Sequence, residues 1–173
     1  MTRTRTISWH DPADAAALSE GLSGLEILHR IASGLIPGPP AAELVGFEPR
    51  YVTPGRVVFS YEPREEHYNT LGAVHGGILT TVLDTVMGCA VSSKLDAGLA
   101  PVTIELKTSF VHPVTLASGL LRAEGTVVHP GKRVATAESR LEGEDGTLYA
   151  HASSTWLIHE PAEKTALKER VAA

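Results

Sequence analysis

From Gly76 to Ser93 the chain carries apolar residues, Gly, Thr and Ser, and a single charge, Asp84. At helical pitch Ile78, Leu79, Val82, Leu83, Val86, Cys89, Ala90 and Ser93 fall in one broad stripe, the pattern of a helix face packed on a core. The opposite face of a surface helix is charged. Here it holds Gly77, Thr80, Gly88 and Val91, with Asp84 near their middle, so the pattern predicts a helix buried on all sides. The run is too short, too rich in Gly, Thr and Ser, and too polar at its centre to be a membrane span.

After this helix the period changes to two. Val102, Ile104 and Leu106 alternate with Thr103, Glu105 and Lys107, which predicts a strand with one wet face ending near His112-Pro113. Leu121, Ala123, Gly125 and Val127 continue the alternation. Beyond the turn at His129-Pro130-Gly131-Lys132 comes a strand over 134–141, then a turn at Glu144-Asp145-Gly146 and a last strand over 148–158. Before the helix, residues 43–52 and 56–61 read as a hairpin closed by Thr53-Pro54-Gly55, and 62–70 is polar and irregular. Asp11-Pro12 opens a short helix reaching about Glu20. Residues 24–31 form a second, with Leu25, Leu28 and Ile31 on one side, stopped by Gly34 and Pro37-Gly38-Pro39-Pro40. The order predicts an α+β fold in which an antiparallel sheet wraps around one long central helix. Residues 1–42 form a helical leader over one end, 43–158 the main domain, and 159–173 a charged, helix-prone tail outside the core.

At 173 residues with 43% hydrophobic content, the chain forms one domain with a sizeable core. A net charge of -5 argues against a nucleic-acid surface, and the acid-rich leader is no basic arm. Cys89 is the only cysteine, so no internal disulfide forms; its place on the apolar stripe suits a core residue in a reducing compartment. No apolar run follows Thr2-Arg3-Thr4-Arg5-Thr6 before Asp11, so a cytoplasmic location is expected. The eight His are scattered and none stands at ligand spacing with Cys or a carboxylate, so neither a metal nor another cofactor is expected. No Gly-x-Ser-x-Gly elbow occurs.

Asp84 needs a reason. A buried carboxylate survives if it is paired, hydrogen-bonded or used. One reading is a structural Asp held by Thr80 or Thr81. The other starts from Gly76 and Gly77, which leave the first helical N–H groups open at the positive end of the helix dipole, a site for developing negative charge. Gly76 and Asp84 are eight residues apart, or ~12 Å along a helix. A carbonyl polarised at the helix start is beyond Asp84 of the same chain. If both act on it, the carboxylate comes from a second copy lying antiparallel, which implies a homodimer with composite sites.

The order of elements resembles the hotdog-fold thioesterases of the phenylacetate-pathway type. So do Asn69, the triplet His75-Gly76-Gly77, Asp84 nine residues after that His, and Asp145-Gly146-Thr147-Leu148-Tyr149-Ala150 with Thr155 beyond. The resemblance covers about residues 43–158 and implies metal-free hydrolysis of acyl-coenzyme A thioesters at sites between subunits, in dimers that often pair into tetramers. It implies that Asp84 attacks the thioester carbonyl or activates the water that does, and that the Gly76 N–H polarises that carbonyl. Asn69 and His75 place the water or the thioester, and Thr103 helps hold the water. Gly77 joins the substrate-binding helix start. Lys132 and Arg133, on a tight Pro-Gly turn, are either a solvated hairpin tip or cations for the phosphates of coenzyme A. Two other classes stand beside hydrolysis: an acyl-thioester hydratase, and a non-catalytic acyl-coenzyme A sensor. The acyl group, aryl or aliphatic, is not written in the sequence.

Overall fold

The computed structural model describes residues 1–160. Its strands are β1 (Phe47–Thr53), β2 (Arg56–Tyr61), β3 (Ala100–Phe110), β4 (Leu121–His129), β5 (Val134–Gly143) and β6 (Leu148–His159). They form one antiparallel sheet in the order β1-β2-β4-β5-β6-β3. The long helix, α4 (Gly76–Ser92), crosses one face of it. His159 belongs to β6 rather than to the tail. The rest of the expected tail, apart from Glu160, lies outside the described residues.

Strand register explains why the helix fits. Val57, Gly125, Ser139, Ala152 and Thr108 line up across five strands, so a row of mostly small residues runs across the sheet. The backbone of α4 descends onto this row. A Cβ on Gly125 would lie 2.5 Å from the Val86 carbonyl oxygen. The neighbouring row of Phe59, Ala123, Leu141, Ala150 and Phe110 is bulkier. Between sheet and helix Val82, Leu83, Val86, Met87 and Ala90 are fully buried. Val91 joins them instead of lying on the small face, because the last turn of α4 is also packed against the sheet.

β3 departs from its expected alternation. Its pairing with β6 shifts between Thr103 and Glu105, which leaves Ile104 as the extra residue of a β-bulge. One inserted residue inverts the parity of everything before it. Val102 and Ile104 therefore stand outside the core, 46% and 57% exposed, while Thr103 turns toward α4.

The leader forms α1 (Pro12–Leu18) and α2 (Gly24–Ala32), capped respectively by the Asp11 carboxylate and by a reciprocal pair of Ser23 and Glu26. A third helix, α3 (Pro40–Val45), replaces the expected start of the first strand. Pro40 is pre-set for a first helical position and Gly46, at φ 78°, ends the helix in the left-handed region. Hence β1 begins at Phe47, and the expected boundary at residue 42 falls inside a helix. Helix α2 of the leader packs against β1 and α4. The Gly24 N–H donates to the Leu95 carbonyl just beyond α4, and a Cβ at Gly24 would strike the backbone of Ser92. Arg5 donates to the Glu43 and Leu44 carbonyls and pairs with Glu66.

Candidate active site

The start of α4 is built from its N-cap. His75 Nδ1 accepts the Gly77 N–H at 3.0 Å, which places the proton of a neutral ring on Nε2 and makes that edge a donor. The amide of Gly77 is thereby occupied by the protein itself. Gly76 differs: its N–H has no acceptor among the described residues. The His75 N–H donates to the His67 carbonyl at 2.8 Å, and the buried His67 ring is held 2.9 Å from the Tyr61 hydroxyl. This support for the helix start was not anticipated from sequence. Asn69 Oδ1 accepts from Leu71 N at 2.8 Å and Ala73 N at 3.4 Å, fixing the approach loop. Its NH₂ has no hydrogen-bond partner among the described residues. Asn69 and Gly76 both line a cavity of about 440 Å³ beside the helix start.

Asp84 lies two turns further along, on the side facing β3. Thr103 donates to its Oδ1 at 3.0 Å. The local hydroxyls expected to hold it are otherwise engaged: Thr80 bonds Thr108, and Thr81 bonds the Gly77 carbonyl. Nor is this face of α4 covered in a single chain, since Thr81, Asp84, Thr85 and Gly88 are only partly buried. Loss of hydration pushes the Asp84 carboxyl above its ordinary value, and the Thr103 hydrogen bond offsets part of that rise. Burial, with a smaller push from Asp84, raises the neighbouring Cys89 thiol to about 12 and keeps it protonated. Thr103→Val removes the one bond that favours the ionised carboxylate. If Asp84 is a catalytic base, the change is expected to move the acid limb of the kcat/KM profile to higher pH, because the carboxylate then protonates earlier as pH falls. A pH–rate comparison of the two proteins checks this.

The predicted residues gather in two groups rather than one. Asn69, His75 and Gly76 surround the helix start, and Asp84 and Thr103 form the second group. β3 runs alongside in the opposite sense, with Phe110 against Gly76, Thr108 at Thr80 and Thr103 at Asp84. Lys132 and Arg133 are exposed at the β4–β5 tip, with no side-chain partner among the described residues. The Arg133 carbonyl accepts from Ile158, the register partner of Pro101, so the tip lies toward the Thr103 end of β3. Phe110 was missed: an aromatic residue ending a strand has no special signal until its neighbour Gly76 is known. Among the described residues no three His, Cys, Asp or Glu are placed to share a metal ion. No helix among them is long and apolar enough to cross a membrane.

Residues 71–150, which contain the helix start, Asp84 and Thr103, match the model of the thioesterase superfamily. A Saccharolobus solfataricus protein named as an esterase is 35% identical over 104 residues, covering 60% of this chain and 72% of its own. Human acyl-coenzyme A thioesterase 13 is 27% identical over 103 residues, 59% of this chain and 72% of its own. A Ralstonia eutropha structure, described as a phenylacetic acid degradation-related thioesterase, superposes with a TM-score of 0.69 at 30% identity. That match spans 75% of this chain and 98% of the other. With its six-stranded sheet and central helix in the hotdog arrangement, the chain belongs to the thioesterase superfamily.

Proposed function

We propose that this chain hydrolyses acyl-coenzyme A thioesters to the free acid and coenzyme A. The observation that carries the reading is the division of labour on α4: an unclaimed Gly76 N–H at the positive end of the helix, and a half-buried Asp84 carboxylate held by one hydroxyl. The relatives named above support coenzyme A as the carrier. In the reaction, the thioester oxygen accepts from Gly76 N–H, with the Asn69 NH₂ and His75 Nε2–H as further donors at that end. Asp84, as base, takes a proton from a water held by Thr103 while the water oxygen bonds to the carbonyl carbon. The tetrahedral oxyanion collapses, the C–S bond breaks, and the thiolate recovers the proton from Asp84. In the other route Asp84 itself attacks, expels the thiolate and forms an anhydride that water opens. A single turnover in ¹⁸O-water identifies the anhydride route when the first acid product is unlabelled, because water opening the anhydride on the Asp84 side leaves its label in Asp84.

Gly76 and Asp84 act together only across two copies. β3 is an open edge with Val102, Ile104 and Phe110 exposed, and antiparallel pairing of two such edges about a two-fold axis sets the Thr103 end of one beside the Phe110 end of the other. We place the complete site at that junction, in a dimer able to pair again into a tetramer. Lys132 and Arg133 are assigned to the coenzyme A phosphates. Replacing both by Ala is expected to raise KM about tenfold with kcat little changed, the pattern of lost uniform binding; steady-state kinetics at low salt reads this. The test of the main reading is thiol release from a panel of aryl- and aliphatic-coenzyme A thioesters. Binding without turnover identifies a sensor instead, and a hydrated thioester with no free thiol identifies a hydratase.

A further inference from the structure

We infer that Phe110 is the specificity-determining residue for the acyl group, a fixed wall that admits thioesters unbranched at the carbon next to the carbonyl; this rests on the hydrolase reading above. The ring packs on the Cα of Gly76. A Cβ built there would lie 2.9, 3.2 and 3.4 Å from three of its atoms, Cζ, Cε2 and Cε1. Yet the residue is 52% exposed, so much of the side chain remains uncovered. Phe110 also lines the cavity of about 440 Å³ that contains Asn69 and Gly76.

The geometry then acts on one atom of the substrate. If the thioester oxygen is held by the Gly76 N–H, the acyl carbon beyond the carbonyl is two bonds from that oxygen and lies against whatever stands beside Gly76. Phe110 stands there. A methylene or a flat sp² carbon passes the ring, whereas a second carbon substituent has to displace it. Displacement is hindered, because the strand end is pinned: Phe110 pairs with Ala150, and the N–H groups of Val111 and His112 both donate to the Tyr149 carbonyl at 2.8 and 3.2 Å. An aromatic side chain has only two rotatable bonds with which to move away. Another part of the cavity lining is softer. Leu71 is 89% exposed on a loop that turns at Gly72 with φ 80° and gives way more easily. Selection therefore falls on the carbon nearest the carbonyl and not on the length of the chain beyond it.

The test compares two pairs of substrates, butanoyl- with 2-methylpropanoyl-coenzyme A and phenylacetyl- with 2-phenylpropanoyl-coenzyme A. Hydrophobic pockets discriminate single carbons by about 10–200-fold, and the wild type is expected to prefer the unbranched member by at least about tenfold on that scale. In Phe110→Ala the preference is expected to shrink to within about threefold, through a rise in the absolute kcat/KM for the branched member. Misfolding cannot produce such a gain. Phe110→Leu, which keeps apolar bulk, is expected to fall between. The inference is overturned if the wild type hydrolyses both members equally well. It is equally overturned if Phe110→Ala still hydrolyses the unbranched member with an unchanged ratio. A wild type that releases thiol from no substrate overturns the hydrolase reading itself, and this inference with it.

Discussion

Asp84→Asn is expected to lower kcat for thioester hydrolysis by roughly 10²–10⁴, the range of a lost general base, while raising the thermal midpoint at neutral pH. The two effects have one origin. Asn keeps the shape of the side chain and still accepts from Thr103, but it has no charge to lose hydration and no basic oxygen to take a proton. The folded Asp84 carboxyl titrates above its ordinary value of 3.8, because desolvation outweighs the Thr103 hydrogen bond. Between the unfolded and folded values the folded state holds more proton than the unfolded, so stability falls as pH rises through that window. The cost of the ionised carboxylate is complete above the folded value and absent below the unfolded one. The stabilisation of Asp84→Asn over the wild type is therefore expected near neutrality and should fade as pH falls through the raised folded value, vanishing below 3.8. Melting curves of both proteins across that range, together with thiol-release rates, check the prediction. Equal midpoints at pH 7, or unaltered turnover, would count against a desolvated catalytic carboxylate.

Gly125→Ala is expected to be the most damaging small substitution in the sheet. The new methyl would meet the Val86 oxygen at 2.5 Å, the Val86 carbonyl carbon at 2.6 Å and the Met87 nitrogen at 2.9 Å. All three are backbone atoms of a helix, so no side-chain rotation relieves them and α4 has to lift. Overpacking typically costs ~1–3 kcal/mol, and the rigidity of this contact puts it at or beyond the top of that range. At about 2–4 °C per kcal/mol for a chain of this size, the midpoint should drop by roughly 6–12 °C. Activity falls as well, since lifting α4 draws Asp84 away from Thr103, and misplacement by about 1 Å can cost on the order of 10²-fold. Gly143→Ala, away from the helix, serves as the control. Its new methyl meets side-chain atoms only, the nearest being the Asp145 carboxylate at 2.9 Å, which yields at the expense of its hydrogen bonds from Thr147 without moving any helix. A loss no larger than that of the control would show that α4 does not bear on the Gly125 row.

The helix and its carboxylate were legible in the sequence because they violate expectation so plainly: a long helical stretch with one charge has no face suited to water, and that charge demands a role, although one chain covers the face carrying Asp84 only in part. The glycine pair at its start was visible too, although only the Gly76 amide is left without an acceptor among the described residues. Other parts were not, for physical reasons. The alternation Val-Thr-Ile-Glu-Leu-Lys over 102–107 is regular, and a bulge leaves no local trace when the residue it expels is as apolar as those it spares. Thr103 thus looked like a wet-face residue, and the partners proposed for Asp84 were the local Thr80 and Thr81; only strand register brings in a residue nineteen positions away. Pro39-Pro40 read as a stop, although a proline that ends one helix is equally suited to open the next. Gly77 looked as available as Gly76 until the cap placed His75 Nδ1 on its amide.

The two edges of the sheet are unequal, and the inequality sets a limit on growth. On the β1 side Pro49 lacks an N–H, the register breaks between Pro49 and Tyr51, and His29 of α2 already donates to the Val52 carbonyl. Such an edge offers a newcomer an interrupted row of partners. On the other side no described residue pairs with the outer edge of β3. A sheet that can be extended at one edge only behaves like a chain-terminated monomer: once two copies have joined through β3, each has spent its single reactive end, and edge-to-edge addition stops at a closed pair instead of running on into a fibre. On the proposed dimer, the broken β1 edge, with His29 of the leader set against it, is what lets a pair joined through β3 close without adding further copies edge to edge.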